Sequence, residues 1–301
     1  MVRVCHMTSA HTRYDVRIFQ KECTSLAKAG FQVYLVVDDE MEDEVKNNVH
    51  IKSTFHKPKN RIDRMLRSTS KVYKKALSVN AEIYHFHDPE LLFFGDLLKR
   101  KGKKVIFDSH EFTVKQIELK DYLPLFFRKL IAFFYGTYER SVVRKLDAVI
   151  SPCTFAGKKY FEDQYTNEVL INNVPKIEDV KVADSLIKEK KQQACYVGGL
   201  TEERGIIEIV KASDKAEVPL VLAGEFSSIE LKNVILDNKN QFVEYAGVLD
   251  RIQVRKLLSQ SIMGLSVLQD VGQYKYLDNL PTKVYEYMGA GLPVIISNFP
   301  Y

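Results

Sequence analysis

Residues 194–206 read ACYVGGLTEERGI, running from a short apolar segment through two glycines into the start of a helix. The apolar segment Ala194–Val197 has the length of a buried strand. Gly198 and Gly199 then form a tight turn, and a helical pattern begins near Ile206. Repetition of a strand, a turn and a helix builds a parallel sheet with helices on both faces. This stretch therefore predicts an α/β fold.

The same alternation extends in both directions along the chain. Upstream, apolar runs predict strands at Val2–Met7, Gln32–Val37, His50–Ser53, Ile83–Phe86, Lys104–Asp108, Ala148–Ser151 and Val169–Ile171. Downstream, they predict strands at Pro219–Ala223, Phe242–Tyr245, Ile262–Ser266 and Pro293–Ser297. Amphipathic segments lie between them, such as Val16–Ala29, which Gly30 ends as a helix-terminating glycine.

The chain is long enough for two domains, because single cores rarely grow beyond about 250 residues. Between residues 173 and 192 the alternation stops and the composition becomes polar and lysine-rich. We therefore expect two doubly wound parallel-sheet domains, 1–172 and 193–301, joined by a linker at 173–192. The chain stops immediately after a predicted strand, so the covering helix of the second domain is expected to be missing.

The composition is that of a folded globular protein, with 46% apolar and 28% charged residues. No apolar run approaches the roughly 18 residues that a membrane span needs, and the first residues look like a strand rather than a signal peptide. We expect a soluble or peripheral protein. The four cysteines have no paired spacing and are expected to be buried thiols in a reducing cytosol.

The formal net charge is +5, and nearly all of the excess lies between about residues 51 and 150. Either these side chains form a solvated helix face and a basic loop, or they attract an anionic membrane surface or a phosphorylated acceptor. No nucleic-acid recognition motif accompanies the charge, so nucleic acid is not an expected partner. The first cluster comprises Lys57, Lys59, Arg61, Arg64, Arg67, Lys71, Lys74 and Lys75.

Several ligand-binding motifs are missing from the strand-to-helix turns. No GxGxxG follows the first strand and no GxxxxGK[ST] occurs, which disfavours a dinucleotide dehydrogenase and a P-loop enzyme. No HxxH or HExxH spacing occurs and no DxD lies at a strand end. The sequence therefore predicts no metal site and no cofactor.

The clearest candidate site is residues 278–291, DNLPTKVYEYMGAG. Pro281 suits the first helical position and Gly291 suits the helix end. On one continuous helix, Asp278 and Glu286 would lie about 12 Å apart. That exceeds the roughly 5–9.5 Å of a glycoside-hydrolysis pair but suits an extended ligand, with a sugar near Asp278, a diphosphate at the helix start and a ribose near Glu286. The alternative is a capped surface helix.

This segment resembles the E-x7-E stretch of family 4 retaining glycosyltransferases, whose GT-B fold has two Rossmann-like domains facing across a cleft. The resemblance implies that Glu286 binds the nucleotide ribose and that Asp278 binds the donor sugar at the catalytic centre. Asn279, Leu280 and Thr282 would then contact the donor at the helix start. Asp278 stands where the family has Glu, so its reach is shorter by one methylene group.

Residues 198–205 resemble the phosphate loop of the same family, G-R-x-x-x-x-K-G. Arg204 stands at the lysine position and would clamp the diphosphate as a catalytic residue. Gly198 and Gly199 would lie against the donor, but Gly199 replaces the family's arginine, so one cation remains where two are usual unless another basic residue compensates. On the alternative interpretation, the two glycines form only a tight turn.

Two further segments, LAGE at 222–225 and EYAGV at 244–248, resemble stretches that line the donor cleft of the family. The resemblance implies donor contacts by Gly224, Glu225 and Tyr245.

In the first domain, HFHDPE at 85–90 and DSHE at 108–111 resemble the two histidine-containing turns of the family. His110 would lie at the reaction centre, and His87 and Asp88 would shape the acceptor side. Buried structural histidines are the alternative. His11, Arg13 and Arg17 follow the first strand, where the family's acceptor loop lies, and would bind the acceptor.

Asp15, in the same loop, is equally well explained as a helix N-cap. The segment Tyr122–Tyr135 is aromatic and basic, as in a helix that lies on a membrane surface, although core packing explains the same pattern equally well.

The resemblance implies a retaining, metal-independent transferase that moves a sugar from a UDP- or GDP-linked donor to a hydroxyl of a glycan or lipid-linked acceptor. Similar bacterial enzymes build capsule or other surface polysaccharide, which implies a cytoplasmic protein, peripheral at the inner face of the membrane. Two alternatives stay open. One is a non-catalytic sugar-nucleotide or glycan-binding remnant, and the other is a GT-B epimerase.

Overall fold

A computed structural model describes residues 1–120, 124–162, 167–176, 190–236, 241–272 and 274–299. The chain splits into two compact units, Met1–Asn172 and Asn173–Tyr301, hereafter unit 1 and unit 2. Most of the predicted linker, residues 177–189, lies outside the described residues, as do Tyr122 and Leu123 of the predicted aromatic helix.

Within its described residues, unit 1 contains one sheet of eight strands in the order β3-β4-β2-β1-β5-β6-β7-β8. All neighbouring strands are parallel except β3, which is antiparallel to β4. The strands are β1 (Arg3–Met7), β2 (Gln32–Val37), β3 (Glu44–Lys46), β4 (Val49–Ser53), β5 (Ile83–Phe86), β6 (Lys104–Asp108), β7 (Ala148–Ser151) and β8 (Glu168–Leu170).

The helices of unit 1 include two stretches with the wider π-type winding, Val16–Cys23 and Arg64–Ser68, and one short 3₁₀ turn, Pro89–Leu91. The α-helices are α1 (Thr24–Lys28), α2 (Arg61–Asp63), α3 (Thr69–Val79), α4 (Leu92–Arg100), α5 (Thr113–Glu118) and α6 (Leu125–Val143). Among the described residues, no helix combines the length and the apolar character needed to cross a membrane.

Both faces of the unit 1 sheet are buried, as a parallel sheet requires. Successive residues of a strand point to opposite faces. One face, which includes Cys5, Phe86 and Phe107, packs against α3, α4 and α6. The other face, with Val33 and Leu35, packs against Val16–Cys23.

Unit 2 forms a sheet of five parallel strands within the ranges given above, in the order β11-β10-β9-β12-β13. The strands are β9 (Ala194–Val197), β10 (Leu220–Ala223), β11 (Val243–Gly247), β12 (Met263–Ser266) and β13 (Val294–Ile296). The helices are α7 (Ile206–Ala216), α8 (Ile229–Ile235), α9 (Arg251–Gln260) and α10 (Thr282–Gly289), with 3₁₀ turns at Glu202–Arg204 and Tyr274–Tyr276. Helices α7 and α8 pack on one face of the sheet, and α9 and α10 on the other.

The strand orders locate the point in each unit where the chain changes direction across the sheet. β1 lies between β2 and β5, and β9 lies between β10 and β12. Ligands of open α/β sheets bind at the carboxyl ends of strands near such a point. A ligand-binding site is therefore expected at the loops that follow β1, β5, β9 and β12.

The predicted strands are all present, with boundaries that match or differ by at most two residues. β3 was not predicted, and the helix expected over Val16–Ala29 is divided into Val16–Cys23 and α1. The backbone of Gly30 has φ +90°, as expected for a residue that ends a helix. The four cysteines are buried, as predicted.

Candidate functional site

Histidines from three strands of unit 1 converge at the carboxyl end of its sheet. His6 of β1 and His85 of β5 are register partners, and His87 follows two residues later on the same face. His110 follows β6, and its Nε2 atom lies 3.2 Å from Nδ1 of His87. Burial, followed by the nearness of His87, lowers the pKa of His85 to about 3, so this imidazole is neutral.

Asp88 holds the loop that follows β1. Its Oδ2 atom accepts hydrogen bonds from the hydroxyl of Thr8 at 3.0 Å and from the amide of Ala10 at 3.2 Å. Its Oδ1 atom lies 3.5 Å from Nε2 of His11. Burial opposes protonation of His11, yet Asp15 and Asp88 raise its pKa. The two carboxylates therefore favour the protonated form of His11 over the neutral form.

Asp108 orients His110. Its Oδ2 atom lies 3.2 Å from Nε2 of His110, and Arg17 binds both of its carboxylate oxygens at 2.9 and 3.1 Å. Burial would raise the pKa of Asp108, but hydrogen bonds with His110 and His87 hold it well below its usual value. Asp108 is fully buried, whereas 16% of the His110 side chain is exposed. A fixed carboxylate therefore positions an imidazole that a substrate can reach.

A cavity of about 810 Å³ opens over these side chains. Its lining includes four predicted site residues, His11, His87, Asp88 and His110. Basic, acidic and apolar side chains share the lining, so the cavity suits a polar ligand with an apolar part. The remaining lining includes Arg61, Arg64, Met65, Glu90, Glu111, Gln116, Ile117, Lys120, Ile131, Tyr135 and Tyr138.

Arg13 and Arg17, predicted to bind the acceptor, are instead engaged in buried ion pairs. Arg13 binds both carboxylate oxygens of Asp39, at 2.7 and 2.8 Å, and Glu44 at 2.9 Å. Arg17 pairs with Asp108 and with Glu22. Asp15 caps the helix Val16–Cys23 by accepting from two backbone amides, which bears out the N-cap interpretation.

In unit 2, the turns after β9 and β10 touch through their backbones. Gly198 and Gly224 have φ +132° and +147°, a region that favours glycine. A Cβ on Gly224 would lie 1.8 Å from the carbonyl oxygen of Gly198, so no side chain fits there. The hydroxyl of Tyr245 donates to the carbonyl of Gly224 at 2.9 Å. Glu225 follows, and its carbonyl accepts from the amide of Leu200 at 2.8 Å.

Two cations converge on the glycine turn. Nζ of Lys283 and Nη1 of Arg204 lie 3.1 and 3.4 Å from the point that a Cβ on Gly198 would occupy. Lys283 is only 8% exposed, and its ammonium donates to the hydroxyl of Tyr196, which in turn donates to the carbonyl of Gly199. In the described part of unit 2, neither cation forms an ion pair with a carboxylate. Such a pair is a ready site for an anion.

The predicted donor residues 278–286 surround the start of α10. Asp278, Asn279 and Leu280 precede the helix, and Thr282 is its first residue, one position later than predicted. Because Asp278 lies outside the helix, helical rise does not set its distance from Glu286. Oε1 of Glu286 lies 3.4 Å from Nη1 of Arg251, on α9.

Lys283 was not predicted as a site residue, although it lies within the candidate segment 278–291, one residue into α10. The sequence also did not predict the cluster that His6, His85 and Glu22 form with His87.

Comparisons with known proteins agree with this architecture. Family models match the chain for Glycosyltransferase Family 4 over residues 17–168 and for Glycosyl transferases group 1 over residues 178–301. No curated protein matches the chain.

Several solved structures are similar in fold. Sucrose-phosphate synthase from Thermosynechococcus elongatus has a TM-score of 0.74 at 13% identity, covering 99% of this chain and 82% of that one. WaaG, a glycosyltransferase involved in lipopolysaccharide biosynthesis, has a TM-score of 0.67 at 12% identity, covering 99% and 81%. Phytolacca americana UGT2, complexed with UDP-2fluoro-glucose and pterostilbene, has a TM-score of 0.59 at 8% identity, covering 99% and 80%.

Identities this low show the fold alone, which is GT-B, with two parallel-sheet α/β domains. Because the first family model spans half of the chain, the chain belongs to glycosyltransferase family 4, and it is a glycosyltransferase.

Proposed function

We propose that the enzyme transfers a sugar, with retention of anomeric configuration, from a UDP- or GDP-linked donor to a hydroxyl group. The observation that carries this proposal is the convergence of Arg204 and Lys283 on Gly198, with no ion pair to a carboxylate among the described residues. A guanidinium and a lysine side chain that meet at one turn can both donate hydrogen bonds to an anion, and the negative charges of a diphosphate favour the charged form of the lysine. Lys283 thereby takes the place of the arginine that the family usually has at Gly199.

The rest of the donor lies along the start of α10 in this proposal. The diphosphate faces the free amides at the helix start, near Thr282, where the helix dipole favours negative charge. Glu286 accepts hydrogen bonds from the ribose hydroxyls, and Asp278 binds the sugar. Gly224, Glu225 and Tyr245 complete the donor side at the ends of β10 and β11.

The reaction breaks the bond between the anomeric carbon and the diphosphate oxygen and forms a bond from that carbon to the acceptor oxygen. The proton of the acceptor hydroxyl passes to the departing diphosphate. Arg204 and Lys283 stabilise the negative charge that develops on this leaving group. No added Mg²⁺ or Mn²⁺ is needed, because these cations of the protein do the work of a bridging metal.

The acceptor binds in the cavity of unit 1, beside His110, His87, Asp88 and His11. Its mixed polar and apolar lining favours a glycan attached to an apolar carrier. The similarity to WaaG, an enzyme of lipopolysaccharide biosynthesis, supports a role in bacterial surface polysaccharide such as capsule. We place the enzyme in the cytoplasm, at the inner face of the membrane.

The membrane contact that we propose is the aromatic face of α6. Phe126, Phe127, Phe133 and Phe134 are 54–70% exposed, so core packing does not explain them. Wild type should sediment with anionic phospholipid vesicles. The double variant with both Phe126→Ser and Phe133→Ser should sediment less. Ile229→Ser, at an equally exposed apolar position of unit 2, is the control. Equal sedimentation of all three proteins would exclude this contact.

The test of the donor site is a thermal-shift series with UDP, GDP, ADP, CMP and their sugars, without added metal. One nucleotide at about a hundredfold excess over its Kd should stabilise wild type by about 2.7 kcal/mol, which is several degrees. Glu286→Ala should lose that shift, whereas Glu208→Ala, an acidic residue of α7, should keep it. If no nucleotide shifts wild type, the donor site is wrong. Proton NMR of the product then tests retention.

A further inference from the structure

Unit 1 contains a buried cluster of three imidazoles and one carboxylate, of which only His87 also lines the proposed acceptor cavity. Its members are His6 of β1, His85 of β5, His87, and Glu22 of the helix Val16–Cys23. The three histidines are at most 5% exposed. They lie on one face of the sheet because His6 and His85 are register partners and His87 follows two residues after His85.

Hydrogen bonds within the protein do not satisfy this cluster. Nε2 of His6, Nε2 of His85 and Oε2 of Glu22 are all buried without a hydrogen-bond partner. Buried polar atoms are nearly always paired, so three unpaired atoms in one place need a specific explanation. A bound cation provides one for two of these atoms, because it accepts a lone pair from Nε2 of His85 and from Oε2 of Glu22, while His6 faces the cluster through Nδ1.

The spacing of the cluster fits a metal ion. One donor atom from each of the four residues lies within 4.8 Å of all the others. Nδ1 of His6 is 3.0 Å from Nε2 of His87 and 4.0 Å from Oε2 of Glu22. Tetrahedral zinc, with bonds of about 2.0–2.1 Å, places its ligand atoms roughly 3.3 Å apart. Small movements would bring these atoms onto one ion.

The surroundings match those of a metal site. A histidine that binds a metal usually directs its other nitrogen to a carboxylate, and Nδ1 of His87 lies 3.4 Å from Oδ2 of Asp108. The second oxygen of Glu22, Oε1, is held by Nε of Arg17 at 3.0 Å. Both contacts fix the orientation of a ligand residue.

We propose that His6, His85, His87 and Glu22 bind one divalent transition-metal ion of the zinc class. Four protein ligands close the coordination sphere, as in structural sites, so the ion takes no substrate. It joins β1 and β5 to the helix Val16–Cys23 and thereby fixes the loops that carry His11 and Asp88. The metal does not act in the transfer step, and the site does not rest on the proposed function.

The test uses the whole chain without a histidine tag, stripped of metal with a chelator. Titration with Co²⁺ should give the visible absorption of tetrahedral cobalt bound to nitrogen and oxygen, saturating at one ion per chain. Zn²⁺ should displace the Co²⁺ and raise the melting temperature. His85→Gln and Glu22→Gln should each weaken binding by at least tenfold, since even residues one layer outside a metal site change affinity about 10–100-fold.

The matched control is His50→Gln, which removes a histidine of β4 that stacks on Tyr34, away from the cluster. It should bind Co²⁺ as wild type does. No tetrahedral Co²⁺ spectrum in wild type would overturn the proposal, whether or not the variants fold. Unchanged affinity in a folded His85→Gln would also overturn it. Neither result would affect the nucleotide-dependent thermal shift.

Discussion

The ammonium of Lys283 is buried beside a second cation, the guanidinium of Arg204. Burial, followed by repulsion from Arg204, lowers its pKa to about 6. Near pH 8 the ligand-free enzyme therefore holds Lys283 mostly as the neutral amine. A bound diphosphate reverses this balance, because its negative charges favour the ammonium.

We therefore expect nucleoside diphosphate binding at pH 8 to take up close to one proton per chain. Isothermal titration calorimetry in HEPES and in Tris, which differ in ionisation enthalpy, measures this number. Lys283→Met should take up almost none and bind more weakly, whereas Lys211→Met, at an exposed position of α7, should behave as wild type. Wild type should take up much less at pH 5.5, where Lys283 is already mostly charged. No uptake by wild type at pH 8 would refute a contact between Lys283 and the diphosphate.

A position near a strand end does not by itself identify a residue that binds a ligand. His87, Asp88 and His110 were identified from turns at strand ends, and the sheet brings them to one cavity. Arg13 and Arg17 lie in the segment that follows β1, but Asp39 and Asp108 bind them in ion pairs. A sequence shows that an arginine lies near a site, but it does not show which carboxylate has already paired with it.

The strands were predictable because a parallel sheet is buried on both faces, so each of its strands is a continuous apolar run. β3 was not, because Glu44–Lys46 is short, charged and at the sheet edge. The helix after β1 was predicted as one element from its apolar spacing. The structure instead winds as a π-type helix, with hydrogen bonds from i to i+5, over Val16–Cys23 and as an α-helix over Thr24–Lys28.

Helix α6 contains a carboxyl group whose ionisation opposes folding. Glu139 is 2% exposed, and burial raises its pKa to about 7. Because this folded-state value exceeds the unfolded value of 4.5, the folded chain binds the extra proton between these pH values. The protonated carboxyl of Glu139 therefore contributes to the free energy of unfolding fully below pH 4.5, and this contribution is lost as the pH rises through 7.

Glu139→Gln should remove this dependence. Between pH 4.5 and 8 the free energy of unfolding of wild type should fall by roughly 3 kcal/mol relative to that of the variant. This follows from about 1.4 kcal/mol for each pKa unit between the folded and unfolded states. Urea unfolding followed by circular dichroism at both pH values measures the difference. Glu118→Gln, at the half-exposed end of α5, is the control and should follow wild type. Parallel pH dependence of Glu139→Gln and wild type would show that Glu139 ionises freely in the folded chain.

For the whole molecule, the α/β class and the two parallel sheets followed from the rhythm of strands and helices. The cluster of His6, His85, His87 and Glu22 did not, because its members are up to 81 residues apart. Their meeting depends on the strand order, in which β1 lies beside β5. Metal motifs of short fixed spacing describe sites whose ligands lie within one element. The absence of such motifs therefore does not exclude a site whose ligands come from different strands and a helix.

Each unit has its own hydrophobic core, so each ligand should stabilise its own unit. Hydrogen exchange followed by mass spectrometry tests this at the level of the whole chain. The nucleotide should slow exchange around residues 198–205 and 224–228, and Zn²⁺ should slow it in β1, β5 and Val16–Cys23, because binding raises the cost of opening the segments it touches.

The two variants should separate these effects. Glu286→Ala should lose the protection by nucleotide and keep the protection by Zn²⁺, and His85→Gln should do the reverse. If either variant loses both, the two ligands are coupled and the sites are not independent. If Zn²⁺ protects only the segments around residues 198–205, the ion accompanies the diphosphate, and both the buried site and the metal-independent transfer step are wrong.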